Sequence, residues 1–312
     1  GWKRGAAAHR QYKSGQAMPK IVSGQGFGVG FKNVGFSYDY RDVSWATVEL
    51  RGQGEIEEAI VTIDGADLGQ GHHTAMAQIA AEALDIDMKR VKMRVDDTAL
   101  VNDSTGCAAA SRLTFMGGNA VIKAAGEALD KWRQEERPAI AESKWVAPET
   151  SNYDPETGYC MPNFAYGYVA QMVEVSVNTE SGLVTVERVA CADDVGKAVN
   201  PNLVIGQIEG GIVQAHGYVT IEDFRMENGQ VLTPDFSTYL IPGIYDVPDR
   251  IETVLVEDPH PLGPYGVRGV GEIPLLPYAG AVLGAVYDAT GVWFDTFPLT
   301  PERVLRGLGK IK

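Results

Sequence analysis

The run Gly24-Gln25-Gly26-Phe27-Gly28-Val29-Gly30-Phe31 constrains the fold more than any other feature of the chain. Glycine at every second position, with aromatic and aliphatic residues between, predicts a twisted strand. One face of that strand carries no side chains, so another backbone can press against it. The spacing is not GxGxxG and no helical periodicity follows, which argues against a dinucleotide-binding fold.

Beyond this strand the hydrophobic period alternates between two and 3.6. Residues 44–51 and 56–64 alternate as a hairpin. After Gly69-Gln70-Gly71, the apolar positions Ala75, Ile79, Ala83 and Ile86 predict a helix starting near Thr74. A strand is expected at 91–95, a Ser/Asn/Gly/Ala loop at 98–112, a helix over 114–132 and a polar linker at 148–162. Residues 166–178 and 184–192 then form a long hairpin turning at Glu180-Ser181-Gly182, and Pro201 opens a helix. The rest reads as strands near 229–233 and 251–256, a Gly/Pro-rich loop over 259–277, a small-residue helix over 278–290 and a short helix from Pro301. The fold class is α+β, because strands and helices do not alternate as βαβ units. It is expected as two mixed α/β subdomains, residues 1–150 and 151–312, in an elongated arrangement.

With 41 acidic against 27 basic residues the formal charge is −14. That balance excludes nucleic acid and anionic membranes as expected partners, since both demand a basic face. No stretch approaches the ~18 apolar residues of a membrane span, and the basic N-terminus has no apolar core of a secretory signal. Cys107, Cys160 and Cys191 are too sparse for a disulfide framework, a zinc knuckle or an iron–sulfur cluster, and suit a reducing cytoplasm.

Three loops could carry chemistry. Gly69-Gln70-Gly71, ahead of a helix, offers exposed amides and a dipole suited to an anion or polar ligand, or is an ordinary turn. Gly106-Cys107-Ala108-Ala109-Ala110-Ser111-Arg112, flanked by Asp103 and Ser104, is thin enough to line a bulky cofactor or to make a tight packing contact. In Gly263–Pro274 a single carboxylate, Glu272, sits between Gly271 and Ile-Pro-Leu-Leu-Pro. Apolar surroundings would suit it to act as a general base; the alternative is a loop glutamate paired with Arg268. His72-His73 is not a metal site, because adjacent helical side chains diverge and no third ligand is near. His216 is expected to be packed, or at the edge of a ligand.

Five motifs occur together and in order: Trp2-Lys3-Arg4-Gly5; Gly69-Gln70-Gly71-x-x-Thr74; Ala109-Ala110-Ser111-Arg112; Gly206-Gln207-Ile208-Glu209-Gly210 with Gln214; and Gly271-Glu272-x-Pro274. In this the chain resembles the molybdopterin-contacting C-terminal half of the molybdenum hydroxylases, the family of xanthine dehydrogenase and aldehyde oxidoreductase. The resemblance runs from about residue 2 to the C-terminus. It implies that Glu272 is the catalytic base. It also implies that Gly69, Gln70, Gly71, Ala109, Ala110, Ser111, Arg112 and Gln207 contact a molybdopterin cofactor, expected as the cytosine dinucleotide. None of these residues would ligate the molybdenum, which the pterin dithiolene and non-protein ligands hold.

The implied reaction is hydroxylation of an electron-poor carbon in a small N-heterocycle, nicotinate- or purine-like, with water as oxygen source. Aldehyde, carbon monoxide or 4-hydroxybenzoyl-CoA are alternatives within the family. A non-catalytic scaffold that completes a partner's pocket is an alternative from another class. The implied partners are a second molybdopterin subunit supplying the N-terminal half, an iron–sulfur subunit with 2Fe–2S clusters and an FAD subunit. Nicotinate dehydrogenase of anaerobic bacteria, whose molybdenum domain is split between two polypeptides, is the architecture most like this one.

Overall fold

The computed structural model describes residues 20–95 and 107–312; the Trp2–Gly5 motif, Asp103, Ser104 and Gly106 lie outside them. In chain order the elements are β1 (Ile21–Asn33), β2 (Val43–Arg51), β3 (Glu58–Ile63), α1 (His72–Leu84), β4 (Val91–Met93), α2 (Leu113–Arg133) and β5 (Ala139–Val146). There follow β6 (Tyr166–Asn178), β7 (Val184–Asp194), α3 (Pro201–Thr220), the two-residue strands β8 (Met226–Glu227) and β9 (Gln230–Val231), β10 (Arg250–Val256), α4 (Tyr278–Thr290) and α5 (Pro301–Gly307).

Two four-stranded mixed sheets, each backed by helices, make the α+β architecture. One has the order β4-β3-β2-β5 and buries Val48, Leu50, Val61 and Ile63 against α1 and the alanine face of α2. The other has the order β1-β6-β7-β10 and buries Val173, Val189 and Cys191 against α3 and α4. β1 precedes residue 150 in sequence but belongs to the sheet built from residues 166–256, paired along its whole length with β6.

The alternate glycines explain that placement. A Cβ at Gly24 would lie 2.2 Å from the Ala285 carbonyl oxygen, one at Gly26 1.9 Å from that of Ala281, and one at Gly28 2.5 Å from that of Pro277. The backbone of α4 therefore lies directly on the bare face of β1, a contact that any side chain there would break.

Helix starts follow their local chemistry. Asn200 accepts from the Leu203 N–H with Pro201 in the first turn of α3, and Thr300 accepts from the Arg303 N–H ahead of α5. α1 begins two residues earlier than its apolar period suggested, at His72, with Gly71 left-handed (φ 78°) before it. Two strands lie outside the expected elements: the two-residue β8, and β5, whose inward residues Ala139, Ala141 and Ser143 are too small to register as a hydrophobic alternation. Among the described residues no helix is long and apolar enough to cross a membrane.

Candidate active site

A cleft of about 510 Å³ lies between the two layered units, within the range of pockets that hold a sizeable organic ligand. Its walls include Gly69, Gln70, Gly71, Ala109, Ser111, Arg112, Gln207 and Glu272. These residues come from four distant segments of the chain. Ala110 is tied to the cleft through its N–H, which donates to Glu272 Oε1 at 3.2 Å.

The loop bearing Glu272 and the loop at 109–112 are locked face to face. The Glu272 N–H donates to Ser111 Oγ at 2.9 Å. A Cβ at Gly269 would lie 2.6 Å from the Ser111 carbonyl oxygen, so only glycine allows the two backbones to approach this closely. Ala110 and Ser111 both take left-handed backbone conformations, φ 51° and 52°, each costing on the order of 1–2 kcal/mol. The surrounding contacts hold this strained pair and turn the Ala110 N–H toward the carboxylate.

The surroundings of Glu272 differ from the sequence expectation. Its side chain is 42% exposed and its Oε2 is ion-paired to Lys32 Nζ at 2.7 Å; it is neither enclosed by apolar groups nor paired with Arg268. Arg268 is a loop anchor: it donates to the carbonyl oxygens of Tyr166 and Asp258 and pairs with the carboxylates of Asp194 and Asp258.

Arg112 also departs from a simple ligand-facing role. Its fully buried guanidinium pairs with buried Asp42, Nη2 to Oδ1 at 2.8 Å, and donates to the carbonyl oxygens of Val43 and Cys107. It braces the 109–112 loop from behind. The amides near Gly69-Gln70-Gly71 are likewise already engaged. The Asp67 carboxylate accepts from Gly69, Gly71 and His73 N–H at 2.9, 3.1 and 3.2 Å. Partial burial works against its charge, but these bonds prevail and hold its carboxyl below the ordinary aspartate range. Gln70 closes its own turn, accepting from Leu68 N–H and donating to the Ala66 carbonyl oxygen. An anion at this helix start would therefore compete with Asp67.

His72 is buried between Gly65, Leu113 and Gly117 with no partner on either ring nitrogen among the described residues. Burial holds its imidazole down at about 4. The unfolded chain takes up this proton near 6.5, so the stability that His72 contributes falls as pH drops from 6.5 toward 4. His73 bonds the Gly65 carbonyl oxygen, its ring centre 5.9 Å from that of His72 and the two planes inclined at 50°. His216 is packed, with Nδ1 at 2.8 Å from the Tyr278 hydroxyl. Gln207 Oε1 and Ser111 Oγ both lie 3.8 Å from where a Cβ would stand on Gly271, so two polar groups converge on a spot kept open by glycine. Among the described residues no group of three or more His, Cys, Asp or Glu side chains is placed to hold a metal ion.

Three residues of this site escaped sequence reasoning: Lys32, Asp42 and Asp67. Lys32 carried a signal. It continues the even-numbered face of Gly24, Gly26, Gly28 and Gly30, and so shares the side of β1 that meets α4 and the loop before it. Asp67 could have been suspected as an acid just ahead of a helix. Asp42, 70 residues from Arg112, had no local signal.

The model of the molybdopterin cofactor-binding domain family matches residues 1–144 and 129–248. The chain is 31% identical to an aldehyde oxidoreductase of Megalodesulfovibrio gigas over 97% of its own length and 34% of that protein's. It is 32% identical to a probable hypoxanthine oxidase of Escherichia coli, over 81% of this chain and 29% of that one. The solved aldehyde oxidoreductase from Desulfovibrio gigas superposes with a TM-score of 0.82 at 29% identity, covering 94% of this chain and 33% of that chain. The chain thus spans about a third of the length of these relatives.

Proposed function

Because the chain belongs to the molybdopterin cofactor-binding domain family, we propose that it forms one wall of the active site of a molybdenum hydroxylase, with Glu272 as general base. One observation carries this reading: four distant segments converge so that Glu272, Gln207, Ser111 and the glycine-rich turn line a single cleft. The cleft fits the cofactor in kind, being lined by small residues and backbone with a few convergent polar groups. Gly69, Gln70, Gly71, Ala109, Ala110, Ser111 and Gln207 would hold the pterin, while Arg112 keeps their loop in place. When bound, the molybdenum–pterin group supplies two-electron redox chemistry, with water as the oxygen source.

The chain's own part is proton transfer and orientation. Lys32 Nζ on Oε2 and the Ala110 N–H on Oε1 fix the plane of the Glu272 carboxylate. The remaining lone pairs stay available to accept a proton from the attacking oxygen. Small, glycine-lined walls let a flat substrate approach closely.

The proposed substrate is an N-heterocycle, purine- or nicotinate-like, which the likeness to a probable hypoxanthine oxidase supports. An aldehyde is the second reading, supported by the match to an aldehyde oxidoreductase over 97% of the chain. A cytosine dinucleotide form of the pterin, partner chains carrying 2Fe–2S clusters and FAD, and a cytoplasmic setting complete the proposal. The three cysteines, all free, suit that setting.

Glu272→Gln in the assembled enzyme tests the reading. Turnover of hypoxanthine, nicotinate and aldehydes is expected to fall about 10²–10⁴-fold, with molybdenum and pterin content unchanged. Turnover near the wild-type level would overturn the assignment.

A further inference from the structure

Gln171 is fully buried on the inward face of β6, in a cluster built mainly of valine, isoleucine and alanine. Such a core gains nothing from an amide. The carboxamide oxygen Oε1 is buried with no hydrogen-bond partner among the described residues, and an acceptor left unsatisfied in a dry interior costs stability. An apolar side chain of similar volume would pack there without that cost, so the use of this residue lies in its nitrogen. Nε2 makes two contacts. One is with Cys191 Sγ on the neighbouring strand, at 3.4 Å. Burial pushes that thiol up to about 12, so it stays neutral, and a neutral thiol is a weak acceptor. The other is a hydrogen bond donated to the carbonyl oxygen of Pro274, 103 residues further along the chain and just beyond Glu272.

Pro274 lies at the far end of the turn that carries Glu272, and β6 grips this segment along its length. The Tyr166 carbonyl oxygen accepts from Arg268 Nη1 at 2.8 Å. Gly167 leaves a bare spot, where a Cβ would lie 2.2 Å from Ile273 Cδ1. Gln171 then takes the Pro274 carbonyl oxygen. From the other side, Ser111 Oγ holds the Glu272 N–H at 2.9 Å. The backbone bonds within the turn, Ile273 N–H to the Val270 oxygen and Leu276 N–H to the Ile273 oxygen, shape it without tying it to the sheet. Because the ring locks φ at Pro274, fixing its carbonyl also fixes the direction in which the chain leaves Glu272.

We infer that Gln171 is a positioning residue for Glu272: its amide holds the Pro274 carbonyl, and through it the turn that aims the carboxylate into the cleft. The inference rests on the reading of Glu272 as the general base. Gln171 is not among the residues that line the cleft, so it acts through the turn and touches neither cofactor nor substrate. Its loss therefore shows in the rate of the chemical step and not in binding, since a base displaced by a fraction of an ångström still leaves the cleft open to its ligands.

The test compares Gln171→Met with wild type in the assembled enzyme, because methionine keeps the length and volume of the side chain and removes the donor. Hydrogen exchange at the Glu272 and Ile273 amides is expected to quicken by about tenfold or more, with the β6–β7 ladder unchanged. With whichever of hypoxanthine, nicotinate and aldehydes the enzyme turns over, kcat is expected to fall about 10–100-fold. KM, molybdenum and pterin content and melting temperature are expected to stay close to wild type. Gln171→Glu, whose carboxyl is kept neutral by burial, retains one donor and is expected to recover part of the rate. Exchange no faster in Gln171→Met would overturn the inference. So would a fall in kcat matched by loss of cofactor or of melting temperature, since the amide would then serve the fold at large, or a Gln171→Glu rate no better than that of Gln171→Met. Glu272→Gln separates the two readings. If that variant keeps its turnover, the functional reading fails and takes this inference with it; if it loses turnover while Gln171→Met does not, the inference alone fails.

Discussion

Two ion pairs flank the 109–112 loop, and they do opposite things. Behind the loop, Arg112 and Asp42 are both fully buried, and the guanidinium has further donors on the Val43 and Cys107 carbonyl oxygens. In front of it, Lys32 and Glu272 meet at the cleft with side chains 24% and 42% exposed. A buried pair is not a free gain, because two ions leave water to form it, but removing one member strands the other. An exposed pair contributes little to stability and leaves its carboxylate accessible to a ligand. Two ion pairs beside one loop thus divide into a brace and a working group, and burial decides which is which.

The largest effect that would break this contrast concerns the brace. Arg112→Gln leaves the Asp42 charge buried without its cation and is expected to cost about 3–5 kcal/mol of stability, read by urea unfolding of the full chain. A loss under about 1 kcal/mol would mean that the buried pair does not hold the loop.

Asp193 sharpens the same point from the other side. It is as buried as Asp42, yet neither carboxyl oxygen has a hydrogen-bond partner among the described residues, and burial, together with the charge of Asp194, pushes it up to about 8. Its unfolded value is 3.8. Between 3.8 and 8 the folded chain therefore holds a proton that the unfolded chain has released, and stability falls as pH rises through that window. Asp193→Asn removes this titration. The variant is expected to gain on wild type by about 1.4 kcal/mol per pH unit as pH rises from 4 toward 8, measured as the difference in unfolding free energy at each pH. An equal difference at both pH values would show that Asp193 is ionised in the fold.

Asp67 is intermediate, a partly exposed carboxylate satisfied by backbone N–H groups rather than by a cation. Asp67→Ala is expected to cost about 1 kcal/mol, the usual worth of a helix-start cap, seen as a lower melting temperature. No change would mean that the turn at 69–71 is held by Gln70 alone.

The pattern of what the sequence disclosed follows from the range of the interactions involved. The bare face of β1, the two strands of the 166–192 hairpin and α4 were legible because each single element is written within about a dozen residues, in a period of two or 3.6. The location of β1 in the second sheet was not, since its partner β6 lies more than 130 residues on and only the glycine–α4 contact explains the choice. β5 escaped because alanine and serine on its inner face carry no alternation of hydrophobicity. Glu272, Gln207 and the glycine-rich turn were found through motif order, which says nothing about where a side chain points. That is why Arg112, which lines the cleft, turns its guanidinium inward to an aspartate 70 residues away. It is also why the cation beside Glu272 is Lys32 from the first strand rather than nearby Arg268.

The smallest stability effect, and the one that decides the function of the forward pair, is Lys32→Gln. An exposed ion pair is worth about 0–1 kcal/mol, so unfolding by urea should be nearly unchanged. If Lys32 served only the fold, turnover would be unchanged as well. If it orients the Glu272 carboxylate, the assembled enzyme should lose about tenfold in kcat, equivalent to about 1.4 kcal/mol of transition-state stabilisation. KM should hold nearly constant, because the ion pair touches the base rather than the substrate. Lys32→Arg restores a cation but with a longer, planar head, and should recover part of the rate. A rise in KM with kcat intact would instead place Lys32 against the substrate, as a contact for an acidic group, and the pair would then be a resting arrangement that substrate displaces.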